Sequence, residues 1–204
     1  ERVVRLSRIP LAYRAPPDMP AVAQLPAVTK GHVTFGYFGR PERMTDGVVA
    51  TWARLLHAVP NARLMLNNRN FQEAAFRRLF IDRFAACGIH ADRLDLVYTT
   101  PQPNTWSAYG QVDIALDPFP HNAGTTTIEA LYQGVPVVTL ADRPTVGRFG
   151  ASILHADGLE DWVAHTRDDY VSRAGRAATD LEALARLRAE LRDNPKQIRV
   201  FIEE

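Results

Sequence analysis

The chain has 204 residues, 46% of them hydrophobic and 23% charged, and a formal net charge of +1. That composition can enclose a core and excludes a disordered chain. The near-zero charge gives no electrostatic basis for binding nucleic acid or an anionic membrane, and no apolar run nears the roughly 20 residues that span a bilayer.

The chain opens Glu1-Arg2-Val3-Val4-Arg5, with no signal-peptide pattern, as expected of a cut through a larger protein. Residues 10–30 are rich in proline and alanine. Proline fixes φ and removes a backbone donor, so an extended connector is expected here and not a helix. Residues 32–38 read as a strand, with Val33, Phe35 and Tyr37 alternating against Thr34 and Gly36. Thr45 and Asp46 offer a helix N-cap, and Val48, Val49, Trp52, Leu55, Leu56 and Val59 follow at helical spacing up to Pro60. Residues 62–66 form a short apolar strand. Residues 71–87 form an amphipathic helix with Phe76, Leu79, Phe80 and Phe84 on one side and Gly88 at its end. The single cysteine, Cys87, excludes an internal disulfide. It is expected to be a buried structural thiol in a reducing, cytoplasmic compartment.

Further strands are expected at 94–98, 113–116 and 135–140, with a short helix around 106–109 and another over 125–133 that Gly134 closes. From Leu159 onward the chain reads as helical, with Trp162 in one element and Leu181, Leu184, Leu187 and Leu191 in another. Strands that alternate with helices at this spacing predict an α/β fold, a Rossmann-like doubly wound parallel sheet. Residues 1–29 are expected to be a connector, and residues 30–204 a domain with C-terminal helices.

Chemistry concentrates in residues 113–131. A buried strand ends in Asp117-Pro118-Phe119-Pro120-His121. A turn of small residues, Asn122-Ala123-Gly124, then feeds a helix that begins Thr125-Thr126-Thr127. Free N–H groups at a helix N-terminus, together with the helix dipole, make an anion site. Gly124 allows close approach, and the threonine hydroxyls can donate to phosphate oxygens. Glu129, one turn on, can accept hydrogen bonds from a ribose diol. Plain capping by the threonines is the alternative reading of the same residues. His121 reads as a polar loop residue and is given no catalytic role.

Residues 113–140 resemble the donor-binding core of the protein O-GlcNAc transferase (SPINDLY-like) family. Its bacterial members carry a strand, a proline-aromatic-proline loop, Asn-Gly-Gly-Thr-Thr-Thr, an acidic residue and Gly-Val-Pro-Val-Val. The Phe35-Gly36-Tyr37-Phe38 strand, the helix with Trp52 and the opening segment through Tyr13-Arg14-Ala15-Pro16-Pro17-Asp18 resemble it too. The resemblance runs from residue 1 to about residue 192.

What it implies is the C-terminal half of a GT-B-type glycosyltransferase, with the nucleotide sugar held between two facing Rossmann-like domains. The reaction inverts the sugar's anomeric carbon, needs no metal or other cofactor, and transfers the sugar, GlcNAc from UDP-GlcNAc, to a protein Ser or Thr. The missing N-terminal catalytic domain, and helical repeats in the parent protein, are the implied partners besides the nucleotide sugar and a protein acceptor. The resemblance puts the diphosphate on the turn Thr125, Thr126 and Thr127 and the ribose on Glu129, where the family usually has Asp, with Asn122 and Gly124 also among the nucleotide-sugar-binding residues. Arg43 stands at the position of the family's diphosphate lysine and would be the catalytic cation; an exposed arginine near a helix start is the alternative. The base-binding loop is residues 98–106, with Thr100 at a backbone contact, Gln102 in place of a lysine and Thr105 in place of a histidine. Gly39-Arg40 replaces an Asn-Asn or Asn-Gln pair. These replacements leave open a transferase using another sugar donor, or a catalytically silent nucleotide-binding or protein-interaction module. This half alone is expected to fold and bind nucleotide weakly, without transferring sugar.

Overall fold

A computed structural model describes residues 13–99, 104–143 and 145–192, with only the backbone of 104 and 105 described. The order of elements is α1 (Pro26–Lys30), β1 (Thr34–Tyr37), α2 (Asp46–Ala58), β2 (Arg63–Asn67), α3 (Ala74–Ala85), β3 (Leu94–Val97) and α4 (Asn104–Ala108). Then follow β4 (Ile114–Leu116), α5 (Thr125–Tyr132), β5 (Val137–Leu140), α6 (Phe149–Ala156), β6 (Val163–Ala164), α7 (Arg167–Thr179) and α8 (Leu181–Leu191).

The six strands form one sheet in the order β3-β2-β1-β4-β5-β6, and every pairing is parallel. This is a doubly wound arrangement whose order reverses between β1 and β4. The crevice opened there, at the carboxyl ends of the two strands, is where such sheets take ligands.

Local chemistry explains the elements. The Thr45 hydroxyl accepts from Val48 N–H and starts α2. That helix buries Val48, Val49, Trp52, Leu55 and Leu56, and the Trp52 ring packs edge-on to Tyr37 at 5.6 Å. Burying each such Leu or Val contributes roughly 1.5–3 kcal/mol. Gly134 ends α5 at φ 74°, a left-handed conformation that only glycine adopts without strain. The sequence pattern in β1 suggests alternation, yet all four residues are buried, because helices cover both faces of this central strand.

Four expectations are corrected. Residues 26–30 form a helix, since Pro26 occupies its first turn, where its missing N–H costs nothing. Residues 69–72 make a separate 3₁₀ turn before α3, and Leu79 is 52% exposed instead of sharing the face of Phe76, Phe80 and Phe84. Phe76 and Phe80, with Phe71, make an aromatic cluster at 5.2–5.4 Å between centroids. The stretch after Leu159 is not all helix: β6 adds an edge strand to β5.

The proline-rich segment is drawn onto the domain: Tyr13 and Met19 already pack against the core. Leu25 and Ala27 are buried, and Ala27 N–H donates to Asp113 Oδ1 at 2.8 Å. Arg188, fully buried on α8, donates to the carbonyls of Ala23, Val112 and Tyr109. Burial pushes its pKa down to about 10, and the Asp113 charge opposes that fall, so it stays a cation at neutral pH. Cys87 is partly buried against the core. Among the described residues no helix is long and apolar enough to cross a membrane.

Candidate functional site

The crevice is built from the segments that leave β1 and β4. After β1, the chain passes Phe38, Gly39 and Arg40 into a 3₁₀ turn, Pro41–Arg43. After β4, it runs from Asp117 through the turn at Asn122 into α5. Together they enclose a cleft of about 350 Å³, whose lining includes Gly39, Arg40, Arg43, His121, Thr125 and Thr126.

Arg43 spans the point where the strand order reverses. Its Nη1 donates to the Asn122 carbonyl at 3.0 Å, which ties the β1 segment to the β4 segment. A guanidinium has further donors in a fixed fork, so this bond orients Arg43 and leaves it able to bind more. Asn122 is buried. Its Nδ2 donates to the Pro118 carbonyl at 2.8 Å and its N–H to the Val146 carbonyl at 2.9 Å. Asn122 therefore shapes the turn, with its carbonyl set toward Arg43.

Gly124 stands at the N-cap position of α5 and supplies no side-chain hydrogen bond, so the N-terminus is left uncapped. Thr127 and Ile128 N–H groups are the first to reach back to the Gly124 carbonyl. The N–H groups of Thr125 and Thr126 lie ahead of that ladder, at the positive end of the dipole. The threonines are thus not spent on capping. Thr125 is exposed, Thr126 half-buried, and both line the cleft. Thr127 differs. It is buried, its hydroxyl has no partner among the described residues, and it faces a void of about 20 Å³ beneath the turn instead of the open cleft.

Glu129 is half-buried and turned toward α4. Tyr109 Oη donates to its Oε2 at 3.3 Å, and Tyr109 stacks on Phe38 at 4.1 Å. Burial raises the Glu129 pKa, while hydrogen bonds from Tyr109 and Trp106 oppose the rise. Glu129 is absent from the lining of the Arg43 cleft and is held instead beside the helix that continues the base-loop segment. Thr105 lies in α4; Thr100 and Gln102 lie outside the described residues. The near end of that loop is anchored by Asn67 Nδ2, which donates to Thr99 Oγ1 at 2.7 Å.

Four cleft residues were not assigned to binding from the sequence: Gly39, Arg40, His121 and Phe149. Desolvation lowers the His121 pKa, and the Arg43 and Arg40 charges add to the effect, which favours neutral imidazole. Asp117, at the floor of the site, is also new. The unbroken apolar run before it was the available signal that it would be buried.

A doubly wound sheet with an arginine bridging its switch point beside an uncapped helix N-terminus is the α/β architecture of one half of a GT-B glycosyltransferase. The chain belongs to glycosyl transferase family 41, whose profile matches residues 24–202. It is 39% identical over 194 residues to a probable UDP-N-acetylglucosamine–peptide N-acetylglucosaminyltransferase SPINDLY of Hordeum vulgare, covering 95% of this chain and 21% of that protein. The Arabidopsis thaliana counterpart is 38% identical over the same share of each. The chain thus spans about a fifth of the length of these relatives. Among solved structures, a mutant Thermobaculum terrenum O-GlcNAc transferase superposes with a TM-score of 0.88 at 36% identity, over 98% of this chain and 37% of that one. The C-terminal domain of the glycosyl transferase LpcC from Francisella tularensis matches at a TM-score of 0.56 and 14% identity, over 89% and 93% of the two chains, a likeness of fold alone.

Proposed function

We propose that this chain is the donor-binding half of an inverting, metal-independent glycosyltransferase of the cytoplasm that moves GlcNAc from UDP-GlcNAc to Ser or Thr of a protein acceptor. The observation that carries the reading is the cleft at the switch point, where Arg43 and the uncapped N-terminus of α5 converge. Oriented N–H groups, two threonine hydroxyls and a fixed guanidinium suit a diphosphate. Its charge grows as the bond to the sugar breaks. Arg43, already held by the Asn122 carbonyl, can stabilise that charge without reorganising. Glu129 and the segment leading into α4 are the ribose and base side of the same ligand. The acceptor hydroxyl and its base belong to the opposing half, since transfer requires both reactants to be oriented together.

The test is binding. Thr125→Val with Thr126→Val removes two hydroxyls at nearly constant volume. We expect UDP-GlcNAc affinity to fall about tenfold or more, on the order of 1–3 kcal/mol for hydrogen bonds to a charged group. Unchanged affinity in the folded double variant, measured by calorimetry, would remove the diphosphate from this cleft.

A further inference from the structure

Asp117 follows directly on β4 and carries the chain into the turn below the cleft. It is 1% exposed, and each of its polar groups is engaged. Oδ1 accepts from Ala123 N–H at 2.7 Å, and Oδ2 accepts from the Thr139 hydroxyl at 2.7 Å. Its carbonyl accepts from Tyr170 Oη at 3.1 Å, and its N–H donates to the Val138 carbonyl at 2.9 Å. On α6, Gly150 packs so closely that a Cβ there would lie 2.3 Å from Oδ2. The carboxylate is therefore gripped by its own turn, by β5 and by α6, with α7 holding its backbone.

The charged and titratable groups that face it are few. Arg43 comes from the turn after β1, Tyr37 from β1 and Tyr170 from α7; β5 offers the neutral Thr139, and α6 the bare Gly150. Burial pushes the Asp117 pKa up to about 7, and the two hydrogen bonds and the Arg43 charge restrain it there.

We propose that Asp117 is the positioning residue of the anion cleft: its carboxylate fixes Ala123, and through it the Asn122 carbonyl on which Arg43 rests, and its protonated fraction rises, with the proton drawn from solvent, as a diphosphate enters. The inference rests on reading the cleft as a diphosphate site. An incoming anion draws on the same Arg43 charge that steadies Asp117, and it adds negative charge above a buried carboxylate. The neutral form is then favoured. The proton goes to Oδ2, which turns from acceptor to donor toward Thr139 Oγ1, while Oδ1 still accepts from Ala123 N–H. The turn keeps its shape in both states, and no charge is left buried opposite the ligand.

The experiment is an NMR-monitored titration of the protein with UDP-GlcNAc, whose diphosphate diester does not itself ionise near neutrality. If Asp117 titrates about one pKa unit higher in the complex, the dissociation constant should rise about fivefold between about pH 6 and about pH 8. Asp117→Asn keeps the shape and should flatten that slope. His121→Gln should keep it, which separates Asp117 from the imidazole in the same cleft. Thr139→Val, which removes one donor to the carboxylate, should move the midpoint to higher pH and serves if the amide variant does not fold. A slope unchanged in Asp117→Asn, or lost only in His121→Gln, would overturn the inference. Pronounced binding by the unsubstituted protein at a pH-independent constant would overturn it while leaving the diphosphate reading intact. No binding at any pH would overturn both.

Discussion

Asp157 is a buried carboxylate set where a negative charge is least welcome, and its replacement should stabilise the protein. It follows α6 as the C-cap, at φ −94° and ψ −1°, beside the helix's unpaired carbonyls. It is 3% exposed, and its Oδ1 has no hydrogen-bond partner among the described residues. Burial pushes its pKa from 3.8 to about 7. Below about pH 4 the group is neutral whether the chain is folded or not. Between the two values the folded state holds a proton that the unfolded state has released, so stability is lost as pH rises through about 7. At about 1.4 kcal/mol per pKa unit, full ionisation costs the fold at most about 4 kcal/mol. Asp157→Asn removes that cost and introduces a buried amide, itself worth about 1–2 kcal/mol if unpaired. The net expectation is a gain of roughly 2 kcal/mol near pH 8 and little or none near pH 5. Urea unfolding at the two pH values measures it, as a shift of midpoint at constant slope. A variant no more stable than the parent near pH 8, or one that gains equally at both pH values, would refute the reasoning.

Three other outcomes are expected. On the role proposed for Arg43, Arg43→Ala in the full-length protein should lower kcat more than it raises KM, since that role acts on charge developing in the transition state; normal kcat with only a raised KM would deny it. Arg188→Met should lower stability by about 3–5 kcal/mol, since the buried carbonyls of Val112 and Tyr109 and the partly buried one of Ala23 lose their donor and Asp113 loses its compensating charge; thermal unfolding with an unchanged Tm would count against this. Gly150→Ala places a methyl 2.3 Å from both Asp117 Oδ2 and Thr139 Oγ1, so it should cost about 1–3 kcal/mol in urea unfolding and weaken UDP-GlcNAc binding as well.

The elements that were legible in the sequence are those where local chemistry and tertiary packing agree. The Thr45 cap, the apolar stripe of α2, the β4–turn–α5 passage and the stop at Gly134 each carry a residue-level signal that the fold keeps. What was missed lacked such a signal. Strand β6 is two residues long and exists through its pairing with β5. Helix α6 begins Phe-Gly-Ala-Ser, a poor helix start, and is held by packing on β5 and the Asp117 carboxylate. At the site, the turn and its threonines could be read because backbone N–H chemistry depends on local sequence. That Thr127 points inward, that Glu129 turns to Tyr109, and that Arg40 and His121 share the Arg43 cleft depend on which loops meet across the sheet, and periodicity does not carry that information.

The grip of Arg188 and Asp113 on residues 20–30 bears on how this half could be exchanged between relatives. A recombination joint placed just before β1 would bring in a foreign segment that must still set a backbone carbonyl at position 23 before Arg188 and a backbone N–H at position 27 before Asp113, in the same register. A joint ahead of Pro20 carries both ends of the clasp together with α8. Viable hybrids should therefore inherit the proline-rich stretch and the last helix as one heritable block, although they stand at opposite ends of the described chain.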